Sequence, residues 1–126
     1  MAATRRVLII DDEATFTRLV KMNLEAGGAY EVREEHQGVR GLAAAQAFRP
    51  DVILLDVIMP DLDGPQVAAQ LAADAQLRAV PIIFLTATAM KRDADAPPTA
   101  LAGRPVIPKP VSMPELRACL ERCFPS

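Results

Sequence analysis

The sequence has little cysteine and histidine and no long apolar run near its start, and each shortage excludes a class of function. Its two cysteines, Cys119 and Cys123, are too few and too close together for a disulfide framework. The first apolar run, residues 7–10, has four residues, which is too short for a signal peptide or a membrane span. We therefore expect a cytoplasmic protein that does not contact a membrane.

The chain also lacks an excess of positive charge. It carries 14 basic and 16 acidic residues, a formal net charge of −2, so no basic field favours nucleic acid. Hydrophobic residues make up 51% and charged residues 24% of 126 residues, which is typical of a folded globular protein. This length predicts one domain over residues 1–126.

Short apolar runs alternate with stretches of helical period, the pattern of a parallel sheet covered by helices on both faces. We predict an α/β, doubly wound, five-stranded parallel sheet in the flavodoxin-like order 2-1-3-4-5. Its strands are predicted near residues 7–10, 30–32, 52–55, 82–85 and 105–107.

Helices are predicted between these strands, and the spacing of apolar residues indicates which side of each faces the sheet. The region where the fourth helix would lie contains Pro97 and Pro98. Because proline disrupts the interior of a helix, we expect at most a short helix near residues 89–95. The expected inner faces are Phe16, Leu19, Val20 and Leu24 in the first helix, and Val39, Leu42, Ala43 and Ala47 in the second.

Reactive side chains follow four of the predicted strands at the point where each strand ends. Asp11 and Asp12 follow the first strand, Asp56 the third, Thr86 the fourth and Lys109 the fifth. Because open α/β sheets bind ligands at the carboxyl ends of their strands, we expect these groups to converge. Asp56 ends a strongly apolar run and is the candidate reactive group.

Carboxylates in such a cluster repel one another unless a cation is bound. Oxygen ligands favour Mg²⁺, while histidine and cysteine, the usual zinc ligands, are missing from the cluster. An aspartate can also act as a nucleophile and form an aspartyl phosphate. Lys109, Thr86 and the backbone amide of Ala87 are candidates to stabilise the charge of a phosphoryl group there.

Four motifs in order, "IIDDE", "ILLDVIMPDLDG", "IIFLTA" and "IPKP", resemble the receiver domain of two-component response regulators over nearly the whole chain. The resemblance implies that Asp56 accepts a phosphoryl group from a histidine kinase or a histidine phosphotransfer protein. It also implies a downstream protein partner whose affinity changes on phosphorylation.

The same resemblance implies a role for each residue at the site. Asp12, Asp56 and the backbone carbonyl of Ile58 would bind Mg²⁺ directly, and Asp11 would do so through water. Lys109 and Thr86 would contact the phosphoryl group, and the Lys109–Pro110 bond is expected to be cis.

The chain departs from the family in one place that affects signal output. Three residues before the family's lysine an aromatic residue usually rotates on activation, and this chain has Val106. No effector domain is expected after residue 126, so a single-domain regulator is predicted.

Other functions remain open at this stage. A degenerate receiver that docks without phosphate would have the same fold. An aspartyl-phosphate phosphohydrolase is less favoured because it needs a second acid two residues after the nucleophile, where this chain has Ile58. Flavin binding is disfavoured because Asp11 and Asp12 would repel a phosphate.

Overall fold

A computed structural model describes residues 4–87, 100–101 and 103–124. The strands are β1 (Arg5–Ile10), β2 (Tyr30–Glu35), β3 (Val52–Asp56), β4 (Ile82–Thr86), β5 (Ala100–Leu101) and β6 (Arg104–Pro108). The helices are α1 (Ala14–Ala26), α2 (Gly41–Phe48), α3 (Gly64–Ala72) and α4 (Met113–Arg122), with a 3₁₀ turn at Gly38–Arg40 before α2.

The strands form one sheet in the order β2-β1-β3-β4-β6-β5. β2, β1, β3, β4 and β6 are parallel, so the predicted five-stranded parallel sheet and its order are confirmed. β5 was not predicted, and it pairs antiparallel with β6 at the edge of the sheet over two residues. The predicted helix near 89–95 lies outside the described residues.

The core has two layers because successive side chains of a strand point to opposite faces of the sheet. Leu8 and Ile10 of β1 pack on the α2–α3 side, while Val7 and Ile9 pack on the α1–α4 side. β3 alternates in the same way, and all five of its residues are buried. A strand that is apolar on both faces is typical of the centre of a parallel sheet.

Side-chain caps fix where two helices begin. Asp63 accepts a hydrogen bond from the backbone N–H of Gln66, and the Gln66 side chain accepts one from the Asp63 N–H, which forms a capping box at α3. Ser112 caps α4 by accepting a hydrogen bond from the Glu115 N–H.

The predicted inner faces of α1 and α2 are partly wrong. Leu19 is 57% exposed, and the buried positions of α1 include Thr17, Val20 and Leu24. Val39 is 59% exposed because it lies in the 3₁₀ turn, whose three-residue period shifts the phase of the following helix. The buried face of α2 consists of Gly41, Ala44 and Ala45.

Among the described helices, none combines the length and apolar character needed to cross a bilayer.

Candidate functional site

The carboxyl ends of β1 and β3 bring three carboxylates together. Ile10 pairs with Leu55, so the next residues along the two strands, Asp11 and Asp56, are neighbours. One carboxylate oxygen from each of Asp11, Asp12 and Asp56 lies within 4.8 Å of the others. Asp11 and Asp56 are buried and Asp12 is exposed, so the cluster opens to solvent on one side.

The loop between β3 and α3 packs tightly beneath Asp56. The Gly64 N–H donates a hydrogen bond of 2.8 Å to the Val57 carbonyl, which closes the loop. A Cβ on Gly64 would lie 2.4 Å from the Asp56 carbonyl oxygen and 3.0 Å from the Val57 Cα. Glycine is therefore required here for close backbone approach.

Lys109 places its ammonium group at the edge of the acidic cluster. Its Nζ lies 2.7 Å from Asp11 Oδ2, 2.7 Å from Glu13 Oε1 and 3.8 Å from Asp56 Oδ1. The Lys109 backbone N–H donates a 2.7 Å hydrogen bond to the Thr86 carbonyl, which ties the end of β6 to the end of β4. The Lys109–Pro110 bond is cis, as expected.

The other predicted site residues lie around this group. The Thr86 side chain is buried at the end of β4, and its hydroxyl donates to the Ala87 carbonyl at 3.4 Å. Ala87 is the next residue and is exposed. Ile58 follows β3 by two positions with an exposed side chain, and metal binding by its carbonyl stays a prediction.

Burial and mutual repulsion change the acidity of this cluster. Burial and the neighbouring Asp11 charge raise the pKa of Asp56 to about 7 from 3.8, although Lys109 acts in the opposite direction. Burial also raises the pKa of Asp11. Burial lowers the pKa of Lys109, but the carboxylates of Asp11 and Glu13 outweigh this effect and leave it above its usual value. A bound cation would favour the charged form of both aspartates.

The stability of the metal-free protein should therefore depend on pH. Between the pKa of 3.8 for an unfolded aspartate and about 7 for folded Asp56, the folded state binds more protons than the unfolded state. The free energy of unfolding is then expected to fall as pH rises through this window, by up to a few kcal/mol at about 1.36 kcal/mol per pKa unit. Urea unfolding in EDTA across this range measures it, and Asp56→Asn should flatten the dependence. An equally steep dependence in that variant would assign the effect to other groups.

Two residues contact Lys109 in a way that the sequence did not indicate. Glu13 directly follows Asp12, and its carboxylate pairs with Lys109 while its backbone N–H donates to Asp11 Oδ1. Phe16 was expected only as a core residue, and its ring lies over the Lys109 ammonium, 4.6 Å from the centroid. No local sequence pattern reports contacts between residues so distant along the chain.

A flavodoxin-like parallel sheet with an acidic cluster, a threonine and a lysine at its carboxyl edge defines a signal-transduction domain of the two-component class. The chain belongs to the response regulator receiver domain family, whose model matches residues 7–121.

Individual relatives differ in how much of their length this chain matches. The chain is 38% identical over 88 residues to the protein PilH of Pseudomonas aeruginosa, covering 70% of this chain and 72% of PilH. It is 39% identical over 88 residues to the DNA-binding dual master transcriptional regulator RpaA of Synechocystis, covering 70% of this chain but 36% of RpaA.

Among solved structures, the chain resembles the receiver domain of the sensor histidine kinase PA1611 from Pseudomonas aeruginosa. The TM-score is 0.81 with 30% identity, covering 98% of this chain and all of that domain. A magnesium ion is coordinated in the active-site cleft of that structure.

Proposed function

We propose that Asp56 accepts a phosphoryl group from a phosphohistidine of a kinase or phosphotransfer protein, and that this transfer changes the affinity of the domain for a downstream partner. The observation that carries the proposal is the convergence of Asp56 with two further aspartates and the Lys109 ammonium at one sheet edge. An aspartate with a purely structural role does not need this arrangement. Phosphoryl transfer does, because it requires both a cation and an ammonium near the nucleophile.

The residues present fit a magnesium ion. Three carboxylates supply the hard oxygen ligands that Mg²⁺ prefers. Asp11 Oδ2 is buried, and its close partner among the described residues is the Lys109 ammonium at 2.7 Å, so this oxygen already faces a cation. Asp11, Asp12 and Asp56 would hold the ion. When bound, Mg²⁺ supplies charge neutralisation for the phosphoryl oxygens.

The protein groups have separate tasks in this proposal. A carboxylate oxygen of Asp56 forms a bond to phosphorus while the donor's P–N bond breaks, and the imidazole nitrogen keeps the electron pair. The Lys109 ammonium neutralises charge on the phosphoryl group. The Thr86 hydroxyl, which would exchange its 3.4 Å contact with the Ala87 carbonyl, and the Ala87 N–H would donate hydrogen bonds to it.

The departure at Val106 limits how the signal leaves the site. Val106 is buried in the core layer that contains Phe84, its neighbour on β4. A buried valine has no ring to turn between buried and exposed positions. We therefore propose that the conformational change passes from Thr86 through the β4–β6 pair instead of through an aromatic rotamer.

Two alternatives are less well supported. A phosphohydrolase of the aspartyl type is disfavoured because the residue two positions after Asp56 is Ile58. A docking module that works without phosphate is disfavoured by the retained cluster, because two buried carboxylates cost stability that a purely structural domain avoids.

Intact-mass analysis tests the proposal. The protein is incubated with a small-molecule phosphodonor and Mg²⁺, beside an EDTA sample and an Asp56→Asn control. Gain of one phosphoryl mass is expected only in the wild-type sample with Mg²⁺. No gain while Mg²⁺ still binds would favour the phosphate-independent docking module, and gain in Asp56→Asn would place the acceptor elsewhere.

A further inference from the structure

The first turn of α1 makes contacts to Lys109 that the proposed function does not use. Glu13 is the N-cap residue of α1, but its side chain forms no capping hydrogen bond and instead lies 2.7 Å from the Lys109 Nζ. Phe16 follows three positions later, on the same side of the helix, with its ring centroid 4.6 Å from that Nζ. The ammonium is therefore held between the acidic cluster and an aromatic face.

We infer that Phe16 is a positioning residue, which holds the Lys109 ammonium beside Asp56 so that it is ready to neutralise an incoming phosphoryl group. This inference rests on the proposed function. The Lys109 side chain is 13% exposed, so water competes only weakly with the ring for the ammonium.

The ring differs from the other partners of Lys109 in one useful way. Asp11 and Glu13 are carboxylates, and the attraction of Asp11 for the ammonium weakens when a cation binds to the same cluster. The π face of Phe16 carries no net charge and does not titrate, so its attraction for the ammonium persists in the metal-bound and phosphorylated states. The ring can hold the lysine in place without neutralising the charge that the lysine brings to the phosphoryl group.

The alternative is that Phe16 has a purely structural role, and the experiment must distinguish this from positioning of Lys109. Phe16 is half-buried and packs against the core layer under α1 and α4. Leucine keeps an apolar side chain at that position but removes the π face, whereas tyrosine keeps both. Phe48 provides a matched control, since its ring lies 5.4 Å from the guanidinium of Arg6, near the start of β1 and far from the site.

Phosphorylation kinetics give the functional measurement. With a small phosphodonor and Mg²⁺, Phe16→Leu is expected to lower the maximal rate about fivefold, which corresponds to about 1 kcal/mol at 1.4 kcal/mol per tenfold. The KM for the donor and the calorimetric affinity for Mg²⁺ should stay within twofold of wild type. Phe16→Tyr should restore the rate, and Phe48→Leu should leave it unchanged.

Proton NMR of the unphosphorylated protein gives a measurement that needs no phosphoryl transfer. Protons above an aromatic face are shielded, so the Lys109 ε-protons are expected at an upfield shift in wild type and Phe16→Tyr. The shift should return to the ordinary lysine range in Phe16→Leu.

The two measurements separate the possible failures. An absent upfield shift in wild type, or a wild-type rate in Phe16→Leu, overturns the positioning role. Equal rate losses in Phe16→Leu and Phe48→Leu would also overturn it, because they indicate a general effect of altered packing. A wild-type chain that takes up no phosphoryl group overturns the proposed function, and with it the kinetic role of Phe16, even if the shift is present.

Discussion

Lys109→Ala is expected to slow phosphoryl transfer to Asp56 by about 100-fold, because removing one preorganised donor that stabilises transition-state charge typically costs about 10²–10³ in rate. The ammonium is largely buried and lies 3.8 Å from Asp56 Oδ1 in the unphosphorylated state. Without this ammonium, the negative charge of the transferred phosphoryl group would lie beside Asp11, Asp12 and Glu13 with one positive group fewer to offset the repulsion. The rate of mass gain with a small phosphodonor at saturating Mg²⁺ measures the effect.

The same Lys109→Ala variant should not lose affinity for Mg²⁺, although its phosphoryl transfer is slower. Lys109 occupies Asp11 Oδ2 at 2.7 Å, so its removal frees a carboxylate for the metal, and we expect Mg²⁺ to bind at least as tightly as to wild type. Lys21→Ala is the matched control, since it removes a half-buried ammonium that pairs with Glu25 at 2.9 Å on another part of α1. Weaker Mg²⁺ binding in Lys109→Ala, or an equal loss of rate in Lys21→Ala, would contradict the assignment.

The sheet was predictable from the sequence because its central strands have a simple physical signature. Strands buried on both faces need continuous apolar runs, and the runs at 7–10, 52–55 and 82–85 are the centre of the sheet. The convergence of Asp11 and Asp56 then follows from strand order alone, since carboxyl ends of adjacent parallel strands meet at one edge.

The helix faces were less predictable because hydrophobic spacing does not report the phase of a helix after an irregular turn. Val39 matches the apolar pattern of α2, yet the 3₁₀ turn that contains it rotates it into solvent. Leu19 matches the pattern of α1, but the sheet contacts the neighbouring side of that helix, where Thr17 and Val20 are buried. Exposed apolar residues are common on folded proteins, so the pattern alone could not distinguish them.

The surroundings of Lys109 could not be predicted, because they depend on how α1 is rotated against the end of β6. The motif around Lys109 gives its place at the sheet edge, but Glu13 and Phe16 reach it from a helix at the other end of the chain. Such contacts depend on tertiary packing and on side-chain direction, and the spacing of residues along the sequence does not predict either one.

Gly64→Ala is expected to destabilise the protein by about 3 kcal/mol, the upper part of the usual range for overpacking. The added methyl group would lie 2.4 Å from the Asp56 carbonyl oxygen and 3.0 Å from the Val57 Cα. Both are backbone atoms, so no side-chain rotation relieves the contact, and either β3 or the start of α3 must move. The 2.8 Å hydrogen bond from Gly64 to Val57 is then strained as well.

Because the closest of these atoms is the carbonyl oxygen of Asp56, the variant should lose function beyond its loss of stability. Urea unfolding measures the stability, and phosphoryl uptake at a temperature where the variant is still folded measures the site. Gly27→Ala is the control: Gly27 has a φ of −86°, and an added methyl group there would have no neighbouring atom within 4 Å, so alanine is expected to be neutral or slightly stabilising. A Gly64→Ala variant as stable and as readily phosphorylated as Gly27→Ala would show that the loop adjusts without moving Asp56, and that the tight contact is not what places the nucleophile.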